Sequence, residues 1–258
     1  MTPERGALIS GNWKMNENHF EALKLVQELA ALLLAGSIPR GREVSLHPPF
    51  TSLRTVQTAV ETDNIPVLLG AQNCHFEDRG AYTGEVSAEM LARLNVRYVI
   101  CGHSERRQYF DEGDEIVRKK IEAVFRNGMR PIVCVGETLA EREAGGADDK
   151  VRRQIRAALG GLRADSIASA VVAYEPIWAI GTGETATDSD AQEMCAAVRE
   201  EISQFSKSSA EAIRIQYGGS VTPENAEGLL SGSDVDGFLV GGASLDAARF
   251  VEIVRAGS

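Results

Sequence analysis

Short apolar runs recur eight times along the chain, each followed by a polar or glycine turn and then by a stretch with helical spacing. The runs are residues 7–10, 43–47, 66–71, 97–101, 131–135, 170–174, 213–217 and 237–241. Most are continuously apolar and do not alternate, which suits strands covered on both faces, as in a parallel sheet. Between them, residues 20–36 place Phe20, Leu23, Val26, Leu29 and Leu33 on one stripe and end at Gly36, a residue type suited to a C-cap. Residues 114–128 do the same with Ile116, Ile121, Val124 and Phe125, ending at Asn127 and Gly128. A further helix is predicted from Thr187, with Asp190 three residues on as in a capping box.

Eight β/α units in 258 residues, with no linker-like or low-complexity segment, predict the α/β class and a single (β/α)8 barrel domain over residues 1–258. A doubly wound open sheet is the alternative, but it usually has fewer strands, and the G-x-G-x-x-G turn it often carries after the first strand is missing here. In such barrels chemistry sits where the strands end and the βα loops begin, so polar residues at those ends are the candidates.

After the first run comes "SGNWKMN". Asn12 and Lys14 are two apart, which on a strand puts both on one face, as a site for negative charge; Lys14 paired with a carboxylate at the rim is the plainer alternative. After the fourth comes "CGHSERR", where His103 meets the start of a helix, a position that favours a neutral imidazole. Glu105, Arg106 and Arg107 are expected to form ion pairs around it or a surface charge cluster. After the sixth comes "AYEPIWAIGTGETATDSD". Glu175 emerges from the strand, Pro176 fixes the chain behind it, and an apolar, glycine-hinged loop follows. A carboxylate that a lid can shut away from water becomes a stronger base; a rim salt bridge is the alternative. After the seventh and eighth come "YGGSV" and "VGGASL", two Gly-Gly turns whose backbone N–H groups can converge on an anion, with Ser220 adding a hydroxyl. The loop after the third run, "QNCHFEDRGAYTGEVS", is long for a βα connection and is expected to be a partner surface.

Composition narrows the reading. With 43% hydrophobic and 25% charged residues the chain is an ordinary globular protein. A formal net charge of −10 makes nucleic acid and anionic membranes poor partners, so an anionic substrate must be attracted by a local site working against the global field. No apolar run approaches a membrane span, and the N-terminus lacks a signal-peptide pattern. Cys74, Cys101, Cys134 and Cys195 show no CxxC spacing and read as reduced thiols of a cytoplasmic protein, with neither a disulfide nor a metal site.

"GNWKMN", "GAQNC", "GAYTGEVS", "CGHSERR", "VCVGETLAERE", "YEPIWAIGTG", "YGGSV" and "DGFLVGGASL" together resemble the triosephosphate isomerase family, in the family's order, from Gly11 to Leu245. The resemblance implies interconversion of dihydroxyacetone phosphate and D-glyceraldehyde 3-phosphate, without metal or organic cofactor. It implies Glu175 as the base, neutral His103 as the proton shuttle between the two oxygens, and Lys14 and Asn12 as stabilisers of the enediolate. Glu105 would support Lys14 and His103, Cys134 would pack near Glu175, and Gly181, Ser220, Gly241 and Gly242 would hold the phosphate. The lid would be Pro176, Ile177, Trp178, Ala179, Ile180, Gly181, Thr182 and Gly183. It also implies a homodimer in which residues 73–86 insert into the partner, with Thr83, Gly84 and Glu85 at the contact and Thr83 reaching the neighbouring site. Two positions depart from the family pattern: Glu184, usually lysine or another non-acidic residue, is expected to alter lid rates, and Asp188, commonly proline, to do little harm. The competing readings are another phosphate-binding barrel, such as a sugar-phosphate epimerase or an indole-forming synthase, and a non-catalytic phosphosugar sensor. The former would call for metal-ligand clusters or a larger apolar pocket. The latter would be signalled by loss of Glu175, His103 or Lys14, and all three are present.

Overall fold

A computed structural model of the chain describes residues 5–180 and 186–257. Its strands are β1 (Leu8–Asn12), β2 (Glu43–His47), β3 (Leu68–Ala71), β4 (Tyr98–Cys101), β5 (Arg130–Val135), β6 (Val171–Tyr174), β7 (Arg214–Tyr217) and β8 (Gly237–Val240). They close into one parallel barrel in chain order, β8 pairing back onto β1. The helices around it are α1 (His19–Ala35), α2 (Phe50–Thr62), α3 (Ala88–Ala92), α4 (Ser104–Tyr109), α5 (Asp114–Arg126) and α6 (Leu139–Glu143). They continue with α7 (Ala147–Leu159), α8 (Ala164–Ser169), α9 (Asp188–Ser203), α10 (Lys207–Ala212), α11 (Pro223–Leu230) and α12 (Ala247–Arg255). The eight apolar runs are the eight strands. The expected (β/α)8 architecture is therefore the observed one, and no helix among the described residues is long and apolar enough to cross a membrane.

Differences from the expected pattern have local causes. In α1 the Asn18 side chain accepts from the Phe20 and Glu21 N–H groups while Glu21 reaches back to the Asn18 N–H. This capping box sets the phase so that Ala22, Leu25, Val26, Leu29, Ala30 and Leu33 face inward. Phe20, expected on the buried stripe, is 73% exposed instead and lies against the His19 ring. In α5, Val117, Lys120 and Ala123 join Ile121 and Val124 in the interior, while Ile116 and Phe125 are only partly covered. Gly36 does follow α1, but in an extended conformation: the Arg255 guanidinium occupies the space a β-carbon would take and donates to the Leu32 and Gly36 carbonyls. Thr187 and Asp190 form the expected capping box at α9.

Below the site the barrel interior joins an aliphatic cluster, with Leu8, Ile100, Ile132, Val171 and Leu239, to a buried polar one. Ser45 Oγ donates to Ser10 Oγ (2.9 Å), Gln216 Nε2 to the same oxygen (2.8 Å), and the His47 ring lies between Ser45 Oγ (3.0 Å) and the Ala71 carbonyl (3.2 Å). Gly70 makes this possible, because any β-carbon there would fall 2.2 Å from the His47 ring. Burial pushes the His47 imidazole down to about 4, only partly opposed by the Ala71 carbonyl. An unfolded histidine takes its proton near pH 6.5, so in the window between the two values only the unfolded chain is protonated, and stability is lost as pH falls. We expect this residue alone to cost about 2 kcal/mol between pH 7 and pH 5. Urea midpoints of the wild type and His47→Gln at both pH values check it: the variant should lose less stability on acidification, and identical losses would remove His47 as the cause.

Candidate active site

The C-terminal mouth of the barrel holds a cavity of about 430 Å³. Asn12, Lys14, His103, Glu175, Ser220, Gly241 and Gly242, drawn from the ends of five strands and widely separated in sequence, all line it.

Asn12 is the last residue of β1 and its Oδ1 accepts the Lys14 N–H (3.1 Å). The strand ends there, so Lys14 does not share a strand face with Asn12 as its spacing suggested. Its backbone is left-handed (φ 53°), a conformation that costs a lysine about 1 kcal/mol and must be held by its surroundings. Gln72 supplies part of that hold, its Nε2 donating to the Lys14 carbonyl (2.7 Å) and to the His47 carbonyl (2.9 Å). This role of Gln72 was invisible in the sequence, where only its place in "GAQNC" marked it. The strained turn points the Lys14 Nζ at Glu105 Oε1 (2.5 Å).

Gly102 turns the chain out of β4 with φ 74°, and His103 then caps α4. The Glu105 N–H donates to His103 Nδ1 (3.2 Å), so that nitrogen carries a lone pair and the ring proton belongs on Nε2. Nε2 lies 2.9 Å from Glu175 Oε1. Arg106 pairs with Glu112 and Arg107 with Asp114, and Arg107 also donates to the Gly102 carbonyl, so these arginines brace the turn from outside the cavity.

Glu175 is 2% exposed. Its Oε2 accepts the Ser104 N–H (2.9 Å) at the start of α4. Its Oε1 contacts the His103 ring outside hydrogen-bond geometry and has no hydrogen-bond partner among the described residues. Burial by itself would raise this carboxyl, but His103, the Ser104 N–H and Lys14 outweigh it and hold the group below its ordinary value. Burial lowers His103 in turn, and the Glu175 carboxylate beside it, with Glu105 behind, outweighs burial and raises it. Cys134 feels the same carboxylate; burial and that negative charge push its thiol well up, which keeps it unreactive. All four cysteines are buried and free.

The segment expected to form a lid begins with Pro176 and a short 3-10 turn, Ile177–Ala179. Ser220 Oγ donates to the Ala179 carbonyl (3.0 Å), so the hydroxyl expected to face an anion here ties the segment after β6 to the β7 loop. Glu137 is the residue the sequence reading missed. Fully buried, it accepts from Trp178 Nε1 (2.9 Å) and Tyr174 Oη (3.0 Å). Arg142 lies beside Glu137, stacks over the Trp178 ring and pairs with Asp190 of the α9 capping box. Glu137 and Arg142 thus link the 3-10 turn after β6 to α9. The motif "VCVGETLAERE" contained both residues, but no spacing could show that they meet Trp178 and Asp190. Gly181, Thr182, Gly183 and Glu184 lie outside the described residues.

Gly241 and Gly242 form the other wall. Ser244 Oγ donates to the Gly241 carbonyl (2.7 Å), and the Lys14 stem passes 3.5 Å from where a Gly241 β-carbon would stand. Among the described residues no group of three or more His, Cys, Asp or Glu side chains could hold a metal ion. A buried carboxylate with one unsatisfied oxygen, an imidazole with its proton on the facing nitrogen, an ammonium and two bare Gly-Gly turns share one small cavity. Such a set can move a proton on a small anionic substrate.

The sequence model of the family described as triosephosphate isomerase matches residues 7–257. Relatives bearing that name include those of Moorella thermoacetica, 53% identical over 251 residues (97% of this chain and 98% of the relative), and Cutibacterium acnes, 51% identical over 252 residues (97% of each). The protein of Streptomyces avermitilis is 50% identical over 252 residues, again 97% of each. Fold and comparisons together define a (β/α)8-barrel isomerase. Within that class the chain belongs to the triosephosphate isomerase family.

Proposed function

We propose that the chain interconverts dihydroxyacetone phosphate and D-glyceraldehyde 3-phosphate through an enediolate, with Glu175 as the base. The observation that carries this is the placement of Glu175: 2% exposed, at the end of β6, with Oε1 unsatisfied and facing His103. Glu175 is parked on the Ser104 N–H, and it must leave that donor to meet a substrate carbon. Away from the Ser104 N–H and His103 it loses the influences that hold its proton affinity down, and closure over it makes it a stronger base. The same movement takes the carboxylate off His103. Burial and the Glu105 N–H at Nδ1 then favour the neutral imidazole, whose Nε2–H can protonate one substrate oxygen and recover a proton from the other. Lys14 and Asn12 face the oxygen that gains charge. Gly241 and Gly242, with Gly181 and Ser220, hold the phosphate. The test is a coupled assay with D-glyceraldehyde 3-phosphate and detection of dihydroxyacetone phosphate in the presence of chelator. Rapid conversion is expected, and its absence in folded protein would overturn the reading.

We further propose a homodimer joined through residues 73–86. The loop packs on itself: the His75 ring stacks on Phe76 (4.3 Å) and lies tilted against Tyr82 (4.3 Å), and His75 bridges to Ser87. Its tip, Thr83, Gly84 and Glu85, is exposed, and Met15 beside Lys14 is 95% exposed, an apolar side chain that a partner would cover. Sedimentation should show a dimer at micromolar concentration and a shift to monomer in Thr83→Arg; a wild-type monomer would contradict the proposal. We place the protein in the cytoplasm, which subcellular fractionation would check.

A further inference from the structure

The cavity contains a cation that the mechanism does not use. Arg249 lines the same wall as Gly241 and Gly242. It stands in the first turn of α12, where Asp246 caps the helix and accepts the Arg249 N–H (3.0 Å). A first helical turn favours acids, so a positive side chain there works against the helix dipole. Nothing nearby repays it: the exposed guanidinium makes no hydrogen bond or ion pair among the described residues, and the charge it influences is Glu224, itself exposed.

The charge balance of the cavity shows what such a group supplies. Lys14 is paired with Glu105, and Glu175 adds a carboxylate. Without Arg249 the charged side chains facing the cavity would carry no surplus positive charge. The whole chain is at −10, so a dianion approaching the mouth would meet repulsion throughout.

We infer that Arg249 is the residue that recruits and retains the substrate's phosphate dianion, acting by its field at the mouth of the cavity and not in the proton transfers. This rests on the isomerase reading above and adds to it the source of attraction for the anion. Gly241 and Gly242 offer backbone dipoles, which orient a phosphate already bound. Arg249 offers a net charge, which draws the phosphate in.

The test compares Arg249→Gln, Arg249→Glu and Arg249→Lys with the wild type at low ionic strength. Affinity for inorganic phosphate, read by calorimetry, does not depend on turnover. It should weaken about fivefold in R249Q and about twentyfold in R249E, and stay within about twofold in R249K. With triose phosphate, KM should rise by similar factors while kcat moves less than about twofold, and kcat/KM should depend less steeply on salt in R249Q than in the wild type. Glyceraldehyde, which has no phosphate, should be turned over equally well by R249Q and the wild type. Phosphate affinity and salt slope unchanged in both R249Q and R249E would overturn the inference, whether or not the wild type isomerises. An equal loss on glyceraldehyde and on triose phosphate would also overturn it, because it would mark a structural role. An inactive wild type that still binds phosphate through Arg249 would instead count against the isomerase reading alone.

Discussion

Replacing Glu175 by Gln should lower kcat by about 10³–10⁴ while leaving affinity for a phosphate-bearing inhibitor within about threefold, because a glutamine can fill the space but cannot take a proton. The folded state should survive the change. The Ser104 N–H keeps an acceptor in the amide oxygen and the volume is unchanged, while the new amide N–H group, donor against donor with the His103 Nε2–H, must turn away from the ring. Steady-state kinetics with an inhibition constant and a thermal melt for each protein would separate these effects. Turnover within tenfold of the wild type would make Glu175 a structural carboxylate, and the ion-paired site would need another base.

Lys14→Met should cost more broadly. The ammonium is expected to meet both the developing oxyanion and the charge of the bound substrate, so kcat/KM should fall by about 10³ or more and phosphate affinity by about tenfold. Methionine keeps the length of the stem that passes Gly241 and can occupy the space, but Glu105 loses its ammonium partner. The Glu105 effect can be isolated in Lys14→Met/Glu105→Gln: recovery of phosphate affinity without recovery of turnover would assign the binding loss to the stranded carboxylate. If Lys14→Met binds phosphate and turns over substrate as the wild type does, Lys14 is no part of the anion site. The contrast with Arg249 is mechanistic. Loss of Lys14 should reduce kcat and affinity together, whereas loss of Arg249 should appear in affinity and salt dependence.

The strands were legible because a closed parallel barrel buries both faces of every strand, so each one writes a continuous apolar run into the sequence. The start of α9 was legible because capping is local, and Thr187 and Asp190 needed only each other. Inward-facing helix positions were read less well. The phase of α1 follows from the Asn18 box and leaves Phe20 outside, while Lys120, a charged residue of α5, is buried against Glu112 and Asn73.

By itself the sequence determined the order of strands and helices, the family, and which residue types stand at the strand ends. Those properties are carried by local periodicity and by motifs a few residues long. Tertiary structure alone decided that Lys14 reaches the cavity through a left-handed turn braced by Gln72, and that Ser104 holds Glu175 by its N–H. It also decided that Glu137 and Arg142 tie the turn after β6 to α9, and that Arg249 lines the same cavity as the Gly-Gly wall. All but the last join residues far apart in the chain, and closure of the barrel is what brings their strand ends to one rim. A contact made by closure leaves no periodicity behind, because neither partner's neighbours in sequence take part in it.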